Sequence, residues 1–250
     1  MTKMLFETSG PIATITINNP EKLNCLDLSM LLQLEDILND IGSDGQLRVI
    51  VLQGAGNKAF STGGNLKDFG SLATFREVER WITTGQQVFN QLESMPMATI
   101  AAITGYAMGG GLELALACDL RIASDHSIFA MPELKLGWVP GWGALCRLPR
   151  LIGEARAKEL IMTANRINTE KALEFSLINR AVPLGELKGM VNELANELAE
   201  IDPVVFKMSK MALLDGRQAS GQSDMIYDVL GTYYSMLRTK GYDDDTDGKN

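Results

Sequence analysis

The sequence predicts an α/β fold made mainly of parallel strands and connecting helices. Short apolar runs alternate along the chain with segments of helical periodicity, which is the pattern of strand–helix–strand units. Two of the runs, "RVIVLQG" at 48–54 and "TIAAITG" at 99–105, lack polar alternation and predict strands covered on both faces. The chain has 250 residues, of which 46% are hydrophobic, so it is long enough to bury a large core.

A β-hairpin is expected at the start of the chain. The segments "KMLFET" at 3–8 and "IATITIN" at 12–18 are separated by Ser-Gly-Pro, which is a turn sequence. Alternation in the second segment places Ala13, Ile15 and Ile17 on one face of a strand.

Two helices are predicted on either side of the strand at 48–54. Leucine and isoleucine recur at helical spacing from Leu31 to Ile41, and Gly42 is expected to cap that helix. A glycine-rich loop follows the strand, and a second helix is expected around 74–93. The loop is therefore predicted to lie between a buried strand and a helix.

The second half of the chain begins with strands and continues with helices. The segments "DLRIAS" and "SIFAMPE" predict two more short strands, after which helices are expected to the end of the chain. The stretch after about residue 200 has helical character and few loop signals, so it is interpreted as a packed appendage or an oligomerisation element.

Composition argues against several classes of function. The formal net charge of −8 disfavours nucleic acid or an anionic membrane as the main partner, since both bind basic surfaces. Three cysteines without CxxC spacing indicate reduced thiols and neither a disulfide framework nor a metal site. The N-terminus lacks the apolar core of a signal peptide, and no apolar run reaches the roughly 18 residues of a membrane span. A cytoplasmic protein is expected.

The segment "AMGGGLELAL" at 107–116 combines three glycines with Glu113 in an apolar run. Glycine costs about 1 kcal/mol relative to alanine inside a helix, and a carboxylate in such a run costs desolvation unless it is held. Backbone amides at the start of a helix have no acceptor within the helix, so they can bind an anion or stabilise an oxyanion that forms during a reaction. The spacing fits neither a P-loop nor a dinucleotide fingerprint. Considered by itself, this segment has an equally good structural explanation: the glycines allow tight packing where a strand meets a helix, and the helix dipole favours a carboxylate such as Glu113 in the first turn.

A second glycine loop favours the catalytic alternative. The segment "AFSTGGNLKDF" at 59–69 also follows a buried strand, so two loops can direct two amides at one oxygen, as in an oxyanion hole. A further acid, Glu133, is predicted to lie on a loop of defined conformation, because proline and glycine residues occur throughout the segment around it. Two carboxylates beside an oxyanion hole predict acid–base chemistry at a carbon next to a carbonyl.

Four segments in this order resemble the crotonase, or enoyl-CoA hydratase/isomerase, superfamily over roughly residues 3–215. They are "NNPEKLNCLD" (18–27), "KAFSTGGNLKDF" (58–69), "AITGYAMGGGLELALACDLRIAS" (102–124) and "FAMPELKLGWVPGWG" (129–143). The resemblance implies a crotonase-like ββα spiral with an acyl-CoA site over residues 1–200 and a C-terminal helical trimerisation region over 201–250. It also implies coenzyme A as part of the substrate, with no separate cofactor and no metal.

The resemblance assigns catalytic roles to four residues. The amides of Gly64 and Gly110 are implied to hold the thioester oxygen. Members that hydrate enoyl-CoA carry two glutamates, which match Glu113 and Glu133. The resemblance suggests Glu133 as the carrier of the C2 proton and Glu113 as the partner of the attacking water.

Further positions are implied to bind the substrate. The implied coenzyme A contacts are Lys22, Cys25, Asn65, Leu66 and Lys67. Asn65 departs from the aspartate that is frequent after the oxyanion residue. Trp142 stands where the family usually has a small residue, and it is expected to narrow the acyl pocket, with filling of the core as the alternative.

Several rival functions remain at this stage. A Δ3–Δ2 enoyl-CoA isomerase needs a single base, so the presence of both glutamates favours a hydratase. A decarboxylase or a hydrolase of the same fold stays open. An RNA-binding relative conflicts with the acidic charge, and an inactive coenzyme A-binding relative conflicts with the intact pair of acids. His126, the single histidine, lies beside a turn and is interpreted as structural, so no Ser-His-Asp site is predicted.

The resemblance implies a homotrimer or a dimer of trimers, and the C-terminal region is expected to hold this assembly together. Val229, Tyr233 and Met236 recur at helical spacing and form an apolar stripe that requires a partner surface. Because large apolar contacts between identical subunits are strong, the assembly is expected to persist on dilution. Light scattering checks this: a mass near the 27.3 kDa of one chain would refute it.

Overall fold

The computed structural model describes residues 3–215, apart from the side chains at positions 69–70. Within that range the chain forms ten strands and nine α-helices. The strands are β1 (Met4–Ser9), β2 (Ile12–Ile17), β3 (Val49–Gly54), β4 (Ala59–Ser61), β5 (Ala98–Ile103), β6 (Tyr106–Met108), β7 (Leu120–Ser124), β8 (Ile128–Ala130), β9 (Ile167–Asn168) and β10 (Arg180–Val182). The helices are α1 (Leu28–Ser43), α2 (Leu66–Gly70), α3 (Phe75–Glu93), α4 (Gly110–Leu116), α5 (Ala144–Ile152), α6 (Glu154–Thr163), α7 (Thr169–Glu174), α8 (Leu184–Ala199) and α9 (Pro203–Asp215).

The strands form two sheets. The larger has the order β1-β2-β3-β5-β7-β10, and the smaller has the order β4-β6-β8-β9. β1 and β2 pair as the antiparallel hairpin, and every pairing from β2 to β10 in the larger sheet is parallel. The predicted α/β fold with mostly parallel strands is confirmed.

Three successive turns of the chain repeat one arrangement. The pairs β3–β4, β5–β6 and β7–β8 each place one strand in the larger sheet and the next in the smaller sheet, and a helix follows each pair. This is the expected ββα spiral. Because the short strands β4, β6 and β8 are neighbours, the loops that follow them meet at one end of the smaller sheet.

The core lies between the larger sheet and the helices that cover it. All six residues of β5 are buried, as the apolar run predicted, and Ala13, Ile15 and Ile17 form the buried face of β2. The buried residues of α1 include the predicted leucines and Ile41, and Asp27 caps this helix by accepting a hydrogen bond from the Met30 amide.

The prediction from sequence differs from the structure in the short elements. Helix α1 continues past Gly42 to Ser43, and Asp44 caps it, so the predicted glycine cap is wrong. The glycine-rich loop after β3 contains β4 and α2. β9 and β10 interrupt the region where helices were expected to dominate, and β10 completes the edge of the larger sheet.

The chain divides into two compact units, Met1–Ala199 and Glu200–Asn250. In the second unit the structure describes α9, in which Asp202 precedes the first turn and accepts hydrogen bonds from the Val204 and Val205 amides. The apolar stripe at 229–236 lies outside the described residues. No helix in the described part of the chain has the length and apolar character to cross a membrane.

Candidate active site

A cavity of about 200 Å³ lies where the loops after β4, β6 and β8 meet. Of the described residues that line it, Glu113 and Glu133 have ionisable side chains, and the others are mainly apolar residues and glycines. The apolar and aromatic lining comprises Leu66, Trp81, Ile82, Pro132, Leu136, Trp138, Val139 and Trp142. Two carboxyl groups therefore share one small apolar space.

The glycine run at the start of α4 allows close contact with other parts of this site. Gly109 has φ +51°, and a Cβ at this position would come within 2.8 Å of Glu133 Oε1. A Cβ on Gly110 would come within 2.4 Å of the Trp142 ring. Gly110 is the first residue of α4, so its amide has no partner within the helix. Within residues 3–215 this amide donates no hydrogen bond to another protein group.

The second glycine loop contacts the first. A Cβ on Gly63 would come within 2.6 Å of the Gly110 nitrogen. The Leu26 amide donates to the Gly63 carbonyl, and the Leu26 carbonyl accepts from the Asn65 amide, both at 2.8 Å. In such a parallel bridge the residue between the two bonded groups, Gly64, directs its own amide away from Leu26. Gly64 and Gly110 both line the cavity.

Glu113 lies at the end of the first turn of α4 and is almost fully buried. Its Oε1 accepts hydrogen bonds from the amides of Trp142 at 2.8 Å and Ala144 at 2.9 Å. Burial raises the pKa of this carboxyl, while the Ala144 and Trp142 amides and the charge of Arg147 act in the opposite direction. The Gly143 amide, between these two donors, acts on the carboxyl in the same direction as they do, and Glu113 lines the cavity.

Glu133 lies in a different environment. It begins a short 3₁₀ helix, Glu133–Leu136, after Pro132. Its Oε2 is buried and has no hydrogen-bond partner in residues 3–215. Burial raises the pKa of Glu133 to about 7, and the charge of Glu113 contributes in the same direction. The two acids predicted from the sequence therefore meet at one cavity, where one is held by two amides and the other exchanges a proton near neutral pH.

The segment with Lys22 and Cys25 is held beside the second glycine loop by Asn24. This fully buried side chain donates to the carbonyls of Ala55 and Ala59 and accepts from the Asn19 amide. Lys22 is exposed and Cys25 is buried, and burial raises the pKa of the Cys25 thiol. Neither residue lines the cavity.

The segment with Asn65, Leu66 and Lys67 starts helix α2. Asn65 donates to Asp68 at 2.9 Å and accepts from the Lys67 amide at 3.1 Å, so its side chain stabilises the first turn. Leu66 lines the cavity and remains half-exposed, while Lys67 is exposed outside it. The bridge between Leu26 and Gly64 places this segment beside the one that contains Lys22 and Cys25.

Some residues of the site were missed in the sequence. Trp81 and Ile82 on α3, together with Trp138, line the cavity. Trp81 belongs to the buried stripe of an amphipathic helix, and such a stripe is ordinarily assigned to the core. His126 is exposed beside Asp125 and does not line the cavity.

Comparison with known proteins decides the family. The profile described as Enoyl-CoA hydratase/isomerase matches residues 7–236. The chain belongs to this family, the crotonase superfamily. It is 37% identical over 218 residues to a short-chain-enoyl-CoA hydratase of Clostridium acetobutylicum, which covers 87% of this chain and 83% of that protein. It is 34% identical over 215 residues to a crotonyl-CoA hydratase of Syntrophomonas wolfei, which covers 86% and 82% of the two chains.

A solved structure supports the same assignment. The crystal structure of an enoyl-CoA hydratase from Bacillus anthracis superposes with a TM-score of 0.89 at 33% sequence identity. The match covers 93% of this chain and 90% of that chain. The match therefore extends over nearly the whole of both chains.

The raised pKa of Glu133 predicts a stability that depends on pH. A carboxyl whose pKa is higher in the folded than in the unfolded state contributes stability below pH 4.5, which is lost as pH rises toward 7. Glu133→Gln removes this dependence. We expect the variant to be more stable than the original chain by about 1–3 kcal/mol at pH 8.5, with no difference near pH 4.

Thermal unfolding followed by circular dichroism between pH 4 and pH 8.5 measures this difference. Glu170→Gln, at an exposed position on α7, is the matched control and is expected to follow the original chain throughout. A stability difference that is the same at every pH would contradict the prediction.

Proposed function

We propose that this protein is an enoyl-CoA hydratase that adds water across the 2,3-double bond of an acyl-CoA thioester. The observation that carries the proposal is the pair of buried carboxyl groups, Glu113 and Glu133, on one apolar cavity. Hydration requires two proton movements, one from the attacking water and one to C2. The names of the two hydratase relatives support the same reaction.

The amides of Gly64 and Gly110 are proposed to stabilise the negative charge on the thioester oxygen. Attack at C3 moves the electrons of the double bond toward the carbonyl and forms an enolate. Both amides belong to residues that line the cavity, and neither donates to a protein acceptor in the described range. Removal of one such donor in other enzymes costs about 2.7–4 kcal/mol of transition-state stabilisation.

The different environments of the two acids support different roles. Two amide donors and the nearby charge of Arg147 act against the increase in pKa that burial imposes on Glu113, and they fix one oxygen of a group that is placed to take a proton from water. The unpartnered oxygen of Glu133 and its pKa of about 7 favour a group that delivers its proton to C2. In this assignment water oxygen bonds to C3, its proton passes to Glu113, and the proton of Glu133 passes to C2.

Replacement of either acid tests the reaction. We expect Glu113→Gln and Glu133→Gln each to lower kcat by about 10²–10⁴-fold with a much smaller change in KM, because both act in the transition state. The measurement is the loss of enone absorbance for a panel of enoyl-CoA thioesters, with Glu170→Gln as the control. Full hydratase activity in Glu113→Gln would contradict the two-acid mechanism and favour the Δ3–Δ2 isomerase, which needs one base.

The Glu133→Gln variant, in which turnover is expected to be slow, also tests the oxyanion site. Hydrogen bonds to a carbonyl oxygen weaken its double bond, so the thioester carbonyl of bound substrate is expected to absorb at lower frequency than in water. Infrared difference spectroscopy with substrate labelled with ¹³C at that carbon measures the shift. A bound substrate with an unshifted carbonyl band would remove Gly64 and Gly110 from this role.

Trp142 is proposed to limit the size of the acyl group. The indole is 3% exposed and packs against Trp81 and Phe89, with ring centroids 5.6 and 5.4 Å apart. It also lines the cavity, so it belongs both to the core and to the wall of the site. Gly85 in α3 makes room for it, because a Cβ there would come within 2.2 Å of Trp142 Nε1.

Trp142→Ala is expected to extend the substrate range. Space freed beside the acyl group should raise kcat/KM for longer enoyl groups relative to short ones by about tenfold. Phe89→Leu is the control, since Phe89 packs on the indole without lining the cavity. We expect this control to lower the melting temperature and leave the ratio unchanged. An unchanged ratio in Trp142→Ala would limit the indole to a packing role.

A further inference from the structure

Arg147 joins three parts of the protein beside the candidate active site. Its side chain is buried, and its guanidinium donates to Glu93 Oε2 at 2.8 and 3.0 Å and to Asn90 Oδ1 at 2.6 Å. Both acceptors lie on α3. Nη1 of the same group donates to the Trp142 carbonyl at 3.1 Å. The guanidinium therefore ties the loop before α5 to helix α3.

The loop residue that Arg147 holds is also a partner of Glu113. Trp142 donates its amide to Glu113 Oε1 while its carbonyl accepts from Arg147. The second amide partner, Ala144, lies two residues further along the same loop and begins α5. A movement of this loop changes both hydrogen bonds to the carboxylate.

Gly143 lies between the two amide donors, and its lack of a side chain allows the guanidinium of Arg147 to contact the loop. It has φ +116°, and a Cβ at this position would come within 2.0 Å of Arg147 Nη1. A side chain at position 143 would displace the guanidinium from the loop. The local backbone thus brings the charge of Arg147 close to the peptide groups that hold Glu113.

From this arrangement we infer that Arg147 is a positioning residue: it keeps the Trp142 and Ala144 amides on Glu113 and thereby keeps that carboxyl group oriented. The inference rests on the proposed role of Glu113 as the partner of water. Arg147 itself does not line the cavity, so its effect passes through the loop and through its charge. Among the residues that the structure describes, the charged groups that act on Glu113 are Arg147 from α5, which is paired with Glu93 from α3, and Glu133 from the 3₁₀ helix.

The direction in which the loss of Arg147 changes the pKa of Glu113 can be predicted. Its charge and the two amides act against the pKa increase that burial imposes on Glu113. Without them that pKa rises further, so the ionised carboxylate forms only at higher pH. If Glu113 accepts a proton from water, the acidic limb of the kcat/KM profile moves to higher pH.

The test compares Arg147→Lys, Arg147→Met and Asn90→Ala with the control Arg150→Met, which removes an exposed arginine from the same helix. Lysine keeps a charge but cannot make the several directed hydrogen bonds of a guanidinium. We expect kcat to fall about 10–100-fold in Arg147→Met, with KM within about threefold, because a misplaced catalytic group costs rate more than binding. Arg147→Lys should lower kcat by less than Arg147→Met does. Asn90→Ala, at an exposed position that leaves the core intact, should shift the acidic limb of the kcat/KM profile least.

A direct titration separates this inference from the proposed reaction. In protein labelled with ¹³C at the glutamate carboxyls, NMR follows Glu113, and the signal missing in Glu113→Gln identifies it. A higher pKa of Glu113 in Arg147→Lys than in Arg150→Met supports the inference even if no hydratase activity is found, an outcome that would overturn the proposed function alone. If the Arg147 variants only melt at lower temperature, with the titration and the acidic limb unmoved, Arg147 is structural and the inference is wrong.

Discussion

The two amide hydrogen bonds to Glu113 Oε1 are the contact on which the rest of the site depends. They join the start of α4 to the loop before α5, two elements separated along the chain by β7 and β8. Once this loop is placed, the Trp142 indole lies over Gly110 and against α3. Hydrogen bonds to a charged group contribute about 1.5–3 kcal/mol each, so they offset a substantial part of the cost of burying the carboxylate.

Glu133 has no comparable compensation in the free protein. One of its oxygens is buried without a partner, and its charge lies near that of Glu113. Such an arrangement lowers stability at neutral pH, and a chain selected for stability alone would replace the residue. The proposed reaction supplies a reason to keep it, because a carboxyl that is half-protonated near pH 7 both gives and takes protons readily.

Much of the site could be predicted because it contradicts ordinary rules of local structure. Glu113 in an apolar helix and the glycines at 109–111 are visible in the sequence as unusual choices, and the fold places Gly109, Gly110 and Glu113 at one cavity. Arg147 was missed because an arginine on an amphipathic helix is typical of a solvated face, and its partners Asn90 and Glu93 lie more than 50 residues away. The three-residue strands β4, β6 and β10 are too short to show a periodicity, so only pairing defines them.

The close fit between Gly85 and Trp142 restricts the order in which these two positions can change during evolution. A helix of 19 residues would ordinarily gain stability from alanine at position 85, but the indole occupies the space that a methyl group needs. A larger residue at 85 is therefore compatible only with a smaller one at 142, and the indole can be acquired only after the helix already has its glycine. This protein therefore carries a glycine that lowers the helix propensity of α3, and the space it leaves is filled by an indole in the wall of the site.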